Sequence, residues 1–332
     1  MFNKRIASAL ASFASIAILP SISTAQTPRL PMIWGVNAHL GADPYATTPA
    51  STVFKQLKSM GMTYCRIDVC TDDNGNVIQF APEFNDYVAN APKYGIKLLV
   101  MLYIPYDLKQ SWQTEYKNGY NQAYNFVKLH GKNIDVIELG NEMDNSSDLC
   151  TGGTDDGQIA SDYNAANMHI LAGYLTGMCD GAHKAKPGIR CAIDCINHPH
   201  WGWFQVLSNE HVPWDITAVH WYSSSGSILH TWGQNGLAQF SKFGRPIWAT
   251  ELNSAAGSQR GDDANISGLG SVVSDMESYP TVQAIIPYEL YDEPMWKSKG
   301  DSEGFYGLYS DPSTPKPIAT AITSWIKGSK PQ

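Results

Sequence analysis

Short apolar runs rich in β-branched and aromatic residues recur along the chain, separated by longer stretches of mixed polarity. We predict eight strands from these runs, over residues 32–38, 64–69, 97–104, 135–139, 190–196, 215–221, 246–250 and 282–290. The runs are nearly continuous in their apolar character rather than alternating. This is typical of strands that are covered on both faces in a parallel sheet.

The stretches between these runs carry helix patterns with recognisable ends. Phe54, Leu57 and Met60 share one face of a helix that Ser51 can cap and Gly61 can end. We predict further helices over residues 120–130, 161–186, 238–243 and 317–326.

Alternating strands and helices predict the fold class. Eight such units in about 300 residues favour an α/β fold with a single (β/α)8 TIM barrel. An open, doubly wound sheet is the alternative. Residues 35–38, where that fold would carry a GxGxxG loop, instead contain Gly-Val-Asn-Ala.

The amino-terminal segment has the pattern of a secretory signal peptide. Lys4 and Arg5 precede an apolar stretch over 6–20, and small residues lead to Gln26. The stretch is short for a membrane span, although an uncleaved anchor is an alternative. We therefore expect residues 1–26 to be removed and 27–332 to form one domain. The mature protein would be secreted or periplasmic, without membrane attachment.

Composition narrows the set of partners. The chain has 23 Lys and Arg against 31 Asp and Glu, a formal net charge of −8, which argues against a nucleic-acid partner. Its 10 Trp, 17 Tyr and 10 Phe are many for a chain with 16% charged residues, and they indicate a flat, polar, uncharged ligand. The six cysteines would enter an oxidising compartment, and their pairing is left open.

Polar side chains collect where the predicted strands end, which is where barrel enzymes carry their active residues. These strand-end residues include Asn37, His39, Arg66, Asp68, Tyr103, Tyr106, Asn141, Glu142, His220, Tyr222, Glu251, Asn253, Glu289, Tyr291 and Asp292. Glu142 and Glu251 each follow a short apolar strand and are 109 residues apart, which places them on strands 4 and 7. Two carboxylates about 5–5.5 Å apart are what retaining glycoside hydrolysis requires.

Three motifs carry a family resemblance. Glu138-Leu-Gly-Asn-Glu142, followed by His220-Trp-Tyr and Ala-Thr-Glu251-Leu-Asn, resembles the clan-A glycoside hydrolases, the cellulase and β-xylosidase superfamily. The resemblance extends over essentially the whole mature chain, including Arg66 on strand 2. It implies a retaining β-glycosidase, such as a cellulase-like or glucanase-like endo-β-glycanase, that cleaves a neutral polysaccharide or oligosaccharide as a monomer without cofactor or metal.

The same resemblance implies a role for each motif residue. Glu142 would be the acid/base and Glu251 the nucleophile. Asn141 would hold the sugar 2-hydroxyl, and Arg66 and Tyr222 would orient Glu251 and keep it ionised. His220 would shape the subsite around the cleaved bond. A structural ion pair for Arg66 and a core position for His220 are the alternative interpretations.

Further substrate contacts are expected around this pair. The chain departs from the superfamily pattern at two positions, since strand 8 lacks the usual Trp and strand 3 lacks a His. These departures leave the identity of the sugar substrate undetermined. Candidates for substrate binding are Asn37, His39, Tyr103, Trp201, Trp203, Glu289, Tyr291 and Trp296. We expect Trp201 and Trp203 to be stacking platforms and Tyr291 or Trp296 to replace the missing Trp. A zinc site at residues 198–200 is disfavoured because further ligands at a matching spacing are missing. A carbohydrate-binding barrel without hydrolysis is the alternative function.

Overall fold

The computed structural model describes residues 31–151 and 157–328. Residues 31–332 group as one unit. The predicted signal peptide and its cleavage site lie outside the described residues. Within the described ranges, every helix is too short or too polar to cross a membrane.

Eight parallel strands form a closed barrel in chain order, which confirms the predicted (β/α)8 architecture. The strands are β1 Ile33–Ala38, β2 Tyr64–Val69, β3 Lys97–Leu102, β4 Ile134–Leu139, β5 Arg190–Ile193, β6 Ile216–Tyr222, β7 Ile247–Asn253 and β8 Val282–Ile285. The ring closes where Ile33 pairs with Ala284 and Trp34 with Ile285. This closure rules out the open doubly wound sheet.

Three strands end three or more residues away from the predicted position. β5 ends at Ile193, and the Ile196 N–H beyond it donates to the carboxylate of Asp144. β8 ends at Ile285, shortly before Pro287, which has no N–H to donate. β7 continues to Asn253, so Glu251 lies within a strand rather than after one.

Helices surround the barrel. They are α1 Ala50–Met60, α2 Ala81–Tyr94, α3 Trp112–His130, α4 Ala165–Ala185, α5 Trp201–Asn209, α6 Gly236–Ser241, α7 Asp262–Ser278, α8 Pro294–Lys297 and α9 Pro317–Ile326. Gly61 ends α1 in the left-handed conformation (φ 91°), as predicted. The helix predicted over 120–130 is the second half of α3, which begins earlier because Ser111 caps it by accepting from the Thr114 N–H. A short ribbon of β9 Tyr309–Asp311 and β10 Thr314–Pro315 precedes α9.

Helices α3 and α4 approach each other at backbone distance. Glycines at four-residue spacing on α4 face α3, and a Cβ added to Gly177 would lie 2.0 Å from the Tyr116 carbonyl oxygen. A Cβ added to Gly173 would lie 2.6 Å from the Trp112 carbonyl oxygen, and one added to Gly181 would lie 2.3 Å from the Tyr120 carbonyl oxygen. Side chains are therefore excluded along this line of contact.

The barrel interior has an apolar floor. Its cluster comprises Tyr64, Leu99, Val136, Ala192, Ile216, Ala218, Trp248, Ala284 and Ile286, all buried. A larger cluster fills the space between strands and helices. The apolar floor closes the lower barrel and leaves the carboxyl ends of the strands for polar groups.

Candidate active site

Strand periodicity places the polar groups directly above this floor. Side chains two positions apart on a strand share a face, so the residue that follows an apolar floor residue by two also points inward. The floor residue and the polar residue above it are Tyr64 and Arg66 on β2, Val136 and Glu138 on β4, Ala192 and Asp194 at the end of β5, and Ala218 and His220 on β6. All four polar residues are buried.

Glu251 enters this ring through an irregularity in β7. Pairing between β6 and β7 shifts by one residue, so that Val219 pairs with Ala249 but His220 pairs with Glu251. An inserted residue of this kind turns the following side chain to the other face of the strand. Glu251 therefore lies beside His220 in the barrel mouth.

The Arg66 guanidinium joins four strands at the centre of the site. One terminal nitrogen donates to Glu251 Oε1 at 2.6 Å and to Asn37 Oδ1 at 2.8 Å, and the other donates to Asn141 Oδ1 at 2.9 Å. Its Nε donates to Glu138. Burial opposes the charge of Arg66, but Glu138 and Glu251 raise its pKa above the usual value. Arg66 thus forms the structural ion pair with Glu138 that the alternative interpretation expects, and it also contacts Glu251.

The two carboxylates singled out by the sequence face each other. A carboxylate oxygen of Glu142 and one of Glu251 lie within 4.8 Å of each other and of a His220 ring nitrogen. His220 Nδ1 is 2.8 Å from Glu142 Oε1 and 3.6 Å from Glu251 Oε2. The Tyr222 hydroxyl donates to Glu251 Oε2 at 3.1 Å. This spacing fits the short separation of retaining glycosidases rather than the 6.5–9.5 Å of inverting ones.

The two carboxylates have different surroundings. Glu251 is 8% exposed and accepts from both a guanidinium and a phenol. Glu142 is more open, with 29% of its side chain exposed, and it is held by His220 alone among these groups. Two donors from different strands therefore orient Glu251, whereas Glu142 is the more accessible of the two carboxylates.

A cavity of about 430 Å³ opens over this pair. Its lining residues are His39, Arg66, Asp68, Met101, Tyr103, Asn141, Glu142, Ile196, Asn197, Tyr222, Ser224, Glu251, Tyr288, Glu303 and Tyr306. A second cavity of about 460 Å³ shares Tyr103, Asn141 and Glu142 with the first. The rest of its wall is uncharged and includes Ile104, Tyr106 and Met143. Glu142 thus belongs to both cavities, whereas Glu251 lines only the first.

His39 lies at the edge of the first cavity within a cluster of acids. Its Nδ1 is 3.1 Å from Asp68 Oδ1, and its Nε2 is 3.8 Å from Glu289 Oε2. Burial lowers the pKa of His39, but the Asp68 hydrogen bond and the charge of Glu289 outweigh it and raise the pKa to about 9. Glu289 itself is fully buried beneath His39 and accepts from the Tyr45 hydroxyl at 2.8 Å. Burial raises the pKa of Glu289 well above its usual value.

Several residues predicted to bind substrate lie away from the cavity. Asn37 is buried and holds Arg66 on one side, while its amide nitrogen donates to backbone carbonyls of Thr250, Ile286 and Pro287. It therefore supports the site without lining it. Glu289 likewise contacts His39 and Tyr45 from a fully buried position and does not line the cavity.

The prediction of indole platforms is wrong for Trp201 and Trp203. Both belong to helix α5 rather than to a loop, and the helix turns them inward. Trp203 is completely buried and packs on Tyr163 with ring centroids 6.0 Å apart, and Trp201 packs edge-on against Phe240 at 6.1 Å. Neither side chain presents a face to a sugar.

The proposal that Tyr291 replaces the strand-8 Trp is also wrong. Tyr291 is fully buried, lies near Tyr45 with ring centroids 4.9 Å apart, and donates its hydroxyl to Gln56. Trp296 is half-buried in α8 with the Lys299 ammonium 4.1 Å over its ring, and its contact with substrate stays a prediction. Tyr288 lines the cavity from this side instead.

The sequence interpretation missed Asp194, Glu303 and Tyr306, among other groups. Asp194 is inward-facing directly after β5, a position that strand periodicity could have indicated. Glu303 and Tyr306 reach the cavity from a 3-10 helix and its end between α8 and β9, away from the barrel strands, where no sequence signal marks them. Burial and the charge of Glu251 raise the pKa of Glu303 to about 7.

Side chains that could bind a metal ion lie close together at several places within the described residues, but not at the zinc site considered for residues 198–200. Four groups bring His, Cys, Asp or Glu atoms within 4.8 Å of one another. His200 belongs to none of them, because its Nδ1 is 2.7 Å from Asp144 Oδ2 in a fully buried pair. In the two groups that contain His220, the carboxylates of Glu138, Asp194 and Glu251 also lie within ion-pair distance of the Arg66 guanidinium. These carboxylates therefore already have a cationic partner.

Comparisons with known proteins place this geometry in context. No protein-family model matches the chain, and no curated protein matches its sequence. Solved structures do match. Beta-glycosidase BGL167 aligns with a TM-score of 0.63 and 12% identity, covering 91% of this chain and 97% of that one. The chain shares the barrel fold of glycoside hydrolases.

Two further matches support the same fold. Xylanase 10B from Thermotoga maritima aligns with a TM-score of 0.63 and 13% identity over 89% of this chain and 95% of its own. The GH53 catalytic domain from Ignisphaera aggregans gives a TM-score of 0.57 and 17% identity over 90% and 99%. At these identities the likeness establishes architecture, and the chemistry must be argued from the site.

Proposed function

We propose that this protein is a retaining β-glycoside hydrolase that cleaves a neutral polysaccharide or oligosaccharide. The observation that carries the proposal is the facing pair of Glu142 and Glu251, from the ends of β4 and β7, within 4.8 Å of each other. Double displacement needs one carboxylate that stays charged and one that exchanges a proton. The unequal surroundings of the two residues match these two needs.

In the first step, Glu251 attacks the anomeric carbon while Glu142 donates its proton to the departing glycosidic oxygen. The C–O bond to the leaving group breaks, and a glycosyl ester of Glu251 forms. In the second step, Glu142 removes a proton from water, whose oxygen attacks the anomeric carbon. The ester bond breaks and Glu251 departs as a carboxylate, with Glu142 protonated again.

The two cavities suggest how a substrate lies. The cavity that contains Glu251 would hold the sugar that becomes attached to the protein. The second cavity, which reaches only Glu142, would hold the leaving group. Tyr103, which is 46% exposed and lies in both walls, offers an aromatic face beside the cleaved bond. Space on both sides of the pair supports internal cleavage of a chain.

The charge of the first cavity bears on the substrate. Its wall carries four carboxylates, those of Asp68, Glu142, Glu251 and Glu303, against two basic side chains, His39 and Arg66. The Arg66 guanidinium is already engaged by Glu138 and Glu251, and His39 is hydrogen-bonded to Asp68. A uronate would meet an excess of acidic side chains there, so we propose a neutral glycan. The signal-peptide pattern in residues 1–26 supports a secreted or periplasmic location, and we propose that the mature chain acts as a monomer.

Chemical rescue tests the assignment. Glu251→Ala should abolish hydrolysis of aryl β-glycosides and β-glucans, and added azide should restore turnover with an α-glycosyl azide as product. Glu142→Ala with azide should give the β-glycosyl azide instead, because azide then attacks the glycosyl ester. Glu115→Ala removes another buried carboxylate, on α3, and should leave turnover in place.

The outcomes separate the possibilities. An α-azide from the Glu142 variant would mean that the two roles are exchanged. Sugar binding without release of reducing ends, by an unaltered and folded chain, would refute hydrolysis and favour a carbohydrate-binding barrel.

A further inference from the structure

Asp194 is a buried carboxylate that contacts the acid/base side of the site twice. It directly follows β5 and is 1% exposed. Its Oδ1 accepts the backbone N–H of Glu142 at 2.9 Å. Its Oδ2 lies 3.5 Å from His220 Nε2 and 3.7 Å from the Arg66 guanidinium.

The contact with the Glu142 amide coincides with an unusual backbone conformation. Glu142 has φ 47° and ψ 37°, in the left-handed region. For a residue with a Cβ this region is less favourable than the right-handed one. Such a conformation persists where the surroundings hold it. The hydrogen bond to Asp194 ties the amide of this residue to the next strand of the barrel.

The second contact runs through His220. This imidazole is fully buried, and its Nδ1 is hydrogen-bonded to Glu142 at 2.8 Å while its Nε2 faces Asp194. Burial lowers the pKa of His220, but the charges of Glu251 and Asp194 and the Glu142 hydrogen bond raise it to about 10. Carboxylates on both sides of the ring fix its orientation. Asp194 thereby supports both the main chain and the side-chain partner of Glu142.

We propose that Asp194 is the positioning residue for the acid/base. It holds Glu142 so that the carboxyl group faces the glycosidic oxygen, acting through the Glu142 amide and through His220. The inference rests on the proposed function, since it assigns Glu142 the transfer of a proton to the leaving group. Asp194 is not expected to touch substrate, because it is not part of the cavity wall.

Leaving-group dependence distinguishes this role from a structural one. A 2,4-dinitrophenyl β-glycoside departs without protonation, whereas a phenyl β-glycoside needs the acid. We expect Asp194→Ala to lower kcat/KM for the phenyl glycoside roughly 10- to 100-fold, part of the 10²–10⁴ that general acid catalysis contributes. The dinitrophenyl glycoside should lose less than about threefold. Asp194→Asn keeps an acceptor oxygen for the Glu142 amide and should recover most of the phenyl-glycoside rate.

Asp215 provides a matched control at the opposite end of the barrel, directly before β6, where it contacts the start of β5. It accepts the Cys191 N–H at 2.8 Å and lies 2.7 Å from His183 Nε2, so it repeats the contacts of Asp194 away from the cavity. Asp215→Ala should change both rates equally, through stability alone. If Asp194→Ala does not fold, Asp194→Asn and Asp194→Ser give the same comparison, since serine is too short to reach the amide.

Three results would overturn the inference. Equal losses for both glycosides in Asp194→Ala would show that the residue only stabilises the barrel. Unchanged kinetics would show that Glu142 holds its position without it. Failure of the unaltered, folded chain to cleave either glycoside, with no activity on β-glucans, would remove the proposed function and the inference with it.

Discussion

Replacing Arg66 by lysine tests the central feature of the site. The change keeps one positive charge but replaces a planar group with five N–H donors by a point charge with three. Arg66 donates to Glu138, Glu251, Asn37 and Asn141 from three nitrogens in fixed directions. An ammonium at one point cannot satisfy all four acceptors. We expect Glu251 to lose its aligned donor and the two amide oxygens to lose theirs.

The structure sets the size of the effect. A hydrogen bond to a charged group contributes about 1.5–3 kcal/mol, and that amount lost from the transition state corresponds to about a 10- to 150-fold decrease in kcat/KM. The two hydrogen bonds from the charged guanidinium to amide oxygens, taken at the lower end of the same range, together contribute about 3 kcal/mol to the free energy of unfolding. At about 2.1 cal/mol/K per residue over about 300 residues, their loss lowers Tm by about 5 °C.

Kinetics with an aryl β-glycoside and thermal unfolding would measure both quantities. Arg245→Lys is the control, because Arg245 also donates from more than one guanidinium nitrogen, to the backbone carbonyls of Trp214 and Phe243, but away from the cavity. It should lower Tm and leave kcat/KM within about twofold. A kcat/KM for Arg66→Lys within threefold of the unaltered protein would refute the role of this guanidinium in aligning Glu251.

Three further variants test separate parts of the structure. Trp203→Ala should lower the free energy of unfolding by about 3–5 kcal/mol in denaturant titrations, yet leave KM unchanged; a raised KM would restore it as a sugar contact. Tyr103→Ala should raise KM for an oligosaccharide roughly 2- to 10-fold, and an unchanged KM would contradict stacking there. Glu303 has a pKa of about 7 in the folded chain against 4.5, so its contribution to stability falls as pH rises through that range. Glu303→Gln should therefore raise Tm relative to the unaltered protein at pH 8 but not at pH 4.5, and equal differences at both would argue against the shift.

The barrel and the facing pair of Glu142 and Glu251 were predictable because they depend on local patterns. Buried parallel strands are continuous apolar runs, and a carboxylate at the end of such a run must lie at the barrel mouth. Glu142 follows this logic directly. The side-chain direction of Glu251 could not be predicted in this way. It depends on the pairing shift between β6 and β7, and the sequence of residues 247–251 does not indicate that shift.

The errors in the site have one physical origin. Trp201 and Trp203 were assigned to a loop, where an indole would be exposed, but a helix begins at Trp201 and buries both. Glu303 reaches the cavity from a 3-10 helix that does not directly follow any barrel strand. Aromatic and acidic residues gain their roles from tertiary position, so composition alone cannot separate a sugar contact from a core residue.

The glycine line on α4 has a consequence for the loop that carries Glu142. Strand β4 lies between α3 and α4 in the chain, and the segment holding Glu142 follows β4 and precedes α4. Since the two helices touch main chain to main chain at Gly177, a single methyl group there would force the helices apart. A change at this buried helix contact would displace the loop that holds Glu142, although α4 contributes none of the residues that line the cavity.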